Sequence, residues 1–287
     1  MPAMIRSALV LAAASQATGL QAGRRAPPLR RAPLSQPLFA TGHELTGPEL
    51  SGTSIYDAIK EVPVYAASDG GRTPHDLGSL WGRDEVVVLV FFRRYDIHGF
   101  PGTPPPYATL SSFIRNPNTN RNPVSSFGCP FCQELALTLA RDVIPTLGAA
   151  GVKLVAVGIG TGTRAVELCE HLSFPTANLF ADPTNEAYGY LGFMKDAAKT
   201  FFDARTPLAI AERIRRDGAK DLLASFGRWK PWTPPRLDQG YQQGGCFVFQ
   251  GENAIYGYKD PATGAHADLN KIVGIALASQ RTLRVHA

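Results

Sequence analysis

The chain has 287 residues, 44% hydrophobic and 18% charged, which supports one sizeable core and excludes wholesale disorder. Four cysteines over this length exclude a small disulfide-stapled scaffold. Five of the 29 basic residues (Arg6, Arg24, Arg25, Arg30, Arg31) lie in the first 43 positions and all 24 acids lie from Glu44 onward, so the charge of +5 belongs to that segment and gives no basic face for nucleic acid.

Residues 7–22 are apolar or small and follow Arg6; small residues at 18–22 suit signal cleavage. Residues 23–33 are arginine-rich and acid-free, as in organelle transit peptides. The two features in this order predict a presequence over 1–43 and a domain over 44–287. The order resembles the bipartite plastid presequence of algae with complex plastids, so a soluble plastid protein is expected once the presequence is removed. The apolar stretch is too short and alanine-rich for a membrane span, and no other stretch qualifies.

Within the domain, 61–67 reads as a short strand, Asp69-Gly70-Gly71 as a turn and 77–81 as one helical turn. The run E-V-V-V-L-V-F-F (85–92) suits a central strand buried on both faces. Residues 95–126 hold six prolines and the stretch N-P-N-T-N-R-N-P, which predicts an irregular insertion. From Cys129 the pattern is helical to about Leu147, with a kink at Pro145 and an end at Gly148 and Gly151. A buried strand (152–157), a helix (164–172), a strand (178–181) and a helical segment (185–191) follow. Residues 208–226 read as a helix behind Pro207, and 229–235 as a Trp/Pro loop. A hairpin (246–250 and 254–259, turning at 251–253) and a closing helix (269–278) complete the chain. This order predicts an α/β, thioredoxin-like fold with a central mixed β-sheet flanked by helices.

The chemistry sits in Phe127-Gly-Cys-Pro-Phe-Cys132 at the start of a helix. A helix N-terminus stabilises a thiolate, and the thiolate is the nucleophile. Cys129 is therefore the expected attacking thiol and Cys132 the resolving one. Two other readings remain open here: half of a zinc site, which needs four ligands from a chain whose Cys169 and Cys246 stand far apart, and an inert buried pair. Cys169, in V-E-L-C-E-H-L, reads as core. Cys246 follows Gly244-Gly245 at the start of a strand, where close backbone approach is possible, and is a candidate third redox thiol. The glycines at 158, 160 and 162 lack dinucleotide-loop spacing, so no cofactor is expected.

The segments 62–92 and 127–276 resemble the peroxiredoxin-like 2 proteins, the AhpC/TSA-type thioredoxin-like antioxidant proteins, in their plastid form. The likeness lies in Arg93-Arg94, F-G-C-P-F-C, G-V-K-L-V-A-V-G (151–158), L-F-A-D-P-T-N-E-A-Y-G-Y-L-G (179–192), Q-Q-G-G-C-F-V-F-Q-G (242–251) and D-P-A-T-G-A-H-A (260–267). It implies that Cys129 and Cys132 are the redox centre. Joining Arg94 to Phe127 restores the family's run, which marks 95–126 as an extra segment: a retained intron or a lineage-specific lid. The peroxidatic P-x-x-x-[TS]-x-x-C is absent, because Asn122 stands seven before Cys129. The expected activity is that of a thiol–disulfide oxidoreductase of antioxidant metabolism, served by a thioredoxin-type electron donor and acting on a disulfide or peroxide substrate. The alternatives are a thiol peroxidase acting on hydrogen or lipid peroxides and a non-catalytic redox-sensing module.

Overall fold

The computed structural model describes residues 43–45, 49–50, 55–93, 130–196 and 242–286, with single helical positions between 211 and 227. Cys129, residues 1–42, the 95–126 segment, the Trp/Pro loop and almost all of the helix expected over 208–226 lie outside the described residues.

The described elements are β1 (His43–Leu45), α1 (Ile55–Ile59), β2 (Pro63–Ala66), β3 (Pro74–Asp76), β4 (Val86–Phe92), α2 (Pro130–Thr138), α3 (Ile144–Ala149), β5 (Lys153–Ile159), α4 (Gly162–Leu172), β6 (Leu179–Asp182), α5 (Glu186–Tyr190), β7 (Gly245–Gln250), β8 (Asn253–Lys259) and α6 (Leu269–His286). The strands form one mixed sheet in the order β1-β8-β7-β4-β5-β6-β2-β3. Strand β4 runs parallel to β5 and antiparallel to β7, and β7 and β8 form the expected hairpin. The inner order β8-β7-β4-β5, with a helix between β4 and β5 and a closing helix after β8, is the thioredoxin-like arrangement, so the expected fold class holds.

All seven residues of β4 are buried, as an unbroken β-branched and aromatic run requires. Alternation along the strand sends Val86, Val88, Val90 and Phe92 to a core with α2, α3, α4 and α6. Val87, Leu89 and Phe91 face the opposite core, with Ile59, Trp81, Tyr188 and Phe193. Within that second core, the indole of Trp81 donates to the Gly251 carbonyl at 2.8 Å.

Three boundaries differ from expectation, each for a local reason. The helix after Cys132 is not continuous α up to Pro145. A π turn (Leu139–Val143), closed by the Ile144 amide on the Leu139 carbonyl, joins α2 to α3 instead. Proline cannot donate four residues back and crowds the carbonyl there, and the wide turn falls where that conflict arises. Helix α3 then runs through Gly148 to Ala149, and the stop comes at Gly151, whose φ is +74°. Helix α6 continues eight residues past Ala278. No glycine or proline follows to end it, and Arg284 Nη2 reaches back to the Ala150 carbonyl at 2.6 Å. The three-residue strands β1 and β3 lack a readable pattern and were not anticipated.

One contact fixes how α4 meets the rest. A Cβ on Gly162 would lie 2.3 Å from the Gly71 carbonyl oxygen, so the first residue of α4 and the turn after β2 approach backbone to backbone. Gly71 itself has φ +68°, which keeps that turn open only to glycine without strain.

Candidate thiol site

Cys132 lies in the first turn of α2, 4% exposed. Pro130 opens this helix, a position where no amide proton is needed. The thiol donates to the Arg93 carbonyl at 3.1 Å, immediately beyond the C-terminal end of β4. The second cysteine of the C-x-x-C is thus a buried thiol tied to the end of the central strand.

Sequence reasoning missed two side chains here, and the first of them holds that strand end in place. Tyr188, on α5, is fully buried; its Oη lies 2.8 Å from the Phe92 carbonyl and 3.0 Å from that of Val157, and its single proton serves both. It therefore bridges the ends of β4 and β5. Burial, followed by the charges of Asp182 and Cys132, pushes the phenol far up, so it stays a donor. Its ring packs edge-on against Phe91 and Phe193. Gln242 is the second. Its Nε2 donates to the Phe193 carbonyl at 3.1 Å, while its Oε1 accepts from Asn185 Nδ2 at 3.1 Å. The only sequence signal for either was their place in the runs 179–192 and 242–251.

Asp182 organises the turn between β6 and α5. Its carboxylate is wholly buried and accepts from the amides of Thr184, Asn185 and Ala187 and from the Thr184 hydroxyl, at 2.7–3.1 Å. Those amides are the donors that a short helix leaves unpaired at its start. Burial raises the acid above its ordinary value, against the pull of these bonds.

Gly244 enters β7 against the same strand end. A Cβ there would lie 2.1 Å from the Phe91 carbonyl oxygen and 3.0 Å from the Arg93 nitrogen. The glycine at this junction thus permits the close approach expected from the sequence. Cys246, two residues on, pairs with Val90 across the sheet and is buried. Burial, then Asp260 and Glu44, push its thiol well up. Cys169, on α4, is equally buried and is pushed up to about 12, by burial and then Glu170. Cys132, Cys169 and Cys246 carry no disulfide, and among the described residues no three His, Cys, Asp or Glu groups converge as metal ligands.

A depression of about 330 Å³ lies at the other end of the sheet, beside Lys153, Leu154 and Asn178, the end of β5 remote from Cys132. Among the described residues, no helix is long and apolar enough to cross a membrane.

A family model described as AhpC/TSA antioxidant enzyme matches residues 138–262. The match begins at Thr138, downstream of the C-x-x-C, and takes in Cys169, Tyr188, Cys246 and Asp260. No curated protein matches the chain. Among solved structures, Xanthomonas campestris peroxiredoxin Q is similar at 12% identity, over 79% of this chain and 93% of that one, with a TM-score of 0.40. The Xanthomonas campestris bacterioferritin comigratory protein is similar at 11% identity, over 79% and 94%, with a TM-score of 0.40.

Proposed function

We propose that this chain is a thiol-dependent antioxidant enzyme of the AhpC/TSA type, which reduces peroxides through Cys129 and Cys132. The observation that carries the reading is the buried Cys132 thiol, in the first turn of the helix that follows the central strand of a thioredoxin-like sheet. The likeness of 138–262 to antioxidant enzymes favours a peroxide as substrate.

In this scheme the Cys129 thiolate attacks one peroxide oxygen, the O–O bond breaks, and the departing oxygen takes a proton to leave as water or an alcohol. Cys129 becomes a sulfenic acid. Cys132 then gives up the proton it donates to the Arg93 carbonyl and attacks the Cys129 sulfur. A disulfide forms and water leaves. Two electrons from a thioredoxin-type dithiol restore the pair. The second reading, reduction of protein or small disulfides by the same pair, is favoured by the missing peroxidatic motif ahead of Cys129.

The test is turnover of hydrogen peroxide, an alkyl hydroperoxide and a model disulfide by the full chain, with thioredoxin as donor. Cys129→Ser is expected to lose more than about 100-fold in rate. Cys132→Ser should keep one stoichiometric oxidation but not recycle. Undiminished turnover in Cys129→Ser overturns the scheme. Turnover of the disulfide alone selects the second reading, and turnover of none moves the assignment to a redox-sensing module.

The composition of 1–43 supports delivery to a plastid. A fluorescent protein carrying these residues is expected to enter plastids of an alga with complex plastids; retention in the cytosol removes this part of the proposal.

A further inference from the structure

Cys246 has neighbours that Cys169 lacks. Asp260 follows β8 directly, with its amide donating to the Gly244 carbonyl at 3.0 Å and its side chain 2% exposed. Six residues on, His266 places Nδ1 2.9 Å from Asp260 Oδ2. A carboxylate at Nδ1 holds the ring proton there and leaves Nε2 as an acceptor. That Nε2 is buried with no hydrogen-bond partner. Cys246, Asp260 and His266 line one cavity of about 10 Å³, together with Val90, Leu135 and Ile272. This is room for about one water-sized group in a cavity that both the thiol residue and the imidazole residue line. The His266 side chain is 11% exposed, and Ala267 and Leu269 beside it are partly exposed.

We propose that Cys246, His266 and Asp260 form a second thiol centre, which takes hydrogen peroxide in preference to bulkier oxidants and is oxidised to a sulfenic acid. The arrangement is that of nucleophile, base and orienting acid. Hydrogen peroxide places one oxygen in the cavity. The Cys246 proton passes to His266 Nε2, and the sulfur attacks that oxygen. The O–O bond breaks, and the departing hydroxide takes the proton back from the imidazolium to leave as water. One thiol and one hydrogen peroxide give one sulfenic acid and one water. A buried thiol is otherwise inert, so the base is what separates Cys246 from Cys169. The size of the cavity is what separates hydrogen peroxide from an alkyl hydroperoxide.

The experiment uses the full chain carrying Cys129→Ser and Cys132→Ser, so its result is independent of the scheme above. The protein is exposed to hydrogen peroxide or to cumene hydroperoxide, sulfenic acids are trapped with dimedone, and labelling of Cys246 and Cys169 is read by mass spectrometry. Cys246 is expected to label at least about tenfold faster than Cys169 with hydrogen peroxide and at the Cys169 rate with cumene hydroperoxide. Adding His266→Asn, or separately His266→Gln, is expected to lower the Cys246 to Cys169 ratio to near unity, as loss of a general base does. A variant that loosens the fold exposes both cysteines, so the ratio, not the yield, is the readout. Equal labelling in the parent, equal response to the two oxidants, or a ratio unchanged in both His266 variants overturns the proposal.

Discussion

Asp182→Ala is expected to destabilise the fold by about 2–4 kcal/mol, measured by urea unfolding. Alanine leaves the amides of Thr184, Asn185 and Ala187 without their acceptor, and the amide of Ala187 is buried. Part of that loss is offset, because a buried carboxylate itself carries a desolvation cost. The sign of the pH dependence follows from the raised acid. A group held above its unfolded value of 3.8 adds stability at low pH, and the addition disappears as pH rises through its folded value. Alanine cannot titrate, so the penalty is expected to be larger at about pH 4 than at about pH 7. A penalty that grows with pH would mean that the hydrogen bonds outweigh burial. A loss below about 0.5 kcal/mol at both would remove Asp182 as the organiser of this turn.

Gly244→Ala is expected to cost about 1–3 kcal/mol and to change the chemistry of Cys132 as well. The added methyl meets the Phe91 carbonyl, which is backbone and cannot rotate aside. Strand β7 must therefore move away from the end of β4, the place where Cys132 donates to Arg93. In a Cys129→Ser background, Cys132 of the Gly244→Ala variant is expected to react faster with a thiol reagent than Cys132 of the parent. An unchanged melting temperature and an unchanged thiol rate would show that the junction has room to spare. A melting drop with no change in rate would confine the role of Gly244 to packing.

The elements with strong patterns were legible in the sequence. The run 85–92 suited a doubly covered strand, and the hairpin and the C-x-x-C helix carried turn and start signals of their own. The π turn was not legible, because a proline inside an apolar helical pattern signals a kink and says nothing of how the backbone resolves it. The site was legible only at its cysteines. Tyr188 and Gln242 act through backbone carbonyls far away in sequence, Asp182 acts through amides just beyond it, and no spacing rule brings position 188 to the end of 86–92. The pairing of Asp260 with His266 lay within the quoted run D-P-A-T-G-A-H-A, yet their meeting with Cys246 depends on the register that sets β8 beside β7. That register is fixed by the fold as a whole.

The order of the strands also sets when the chain can finish folding. His43 pairs with Lys259, and Glu44 bonds Lys271 and Tyr256, so the first strand closes on the last hairpin and final helix. The central strand β4 likewise waits for β7. On a ribosome, β4 and β5 can meet early, but the β7 side of β4 and the β1 edge stay open until synthesis is nearly complete. A chain of such non-local pairings folds slowly and shows apolar strand edges in the interval. Shielding during synthesis is therefore expected to raise the folded yield, and a truncation within α6, which follows all eight strands, is expected to uncover the core that Ile272 and Ala276 close.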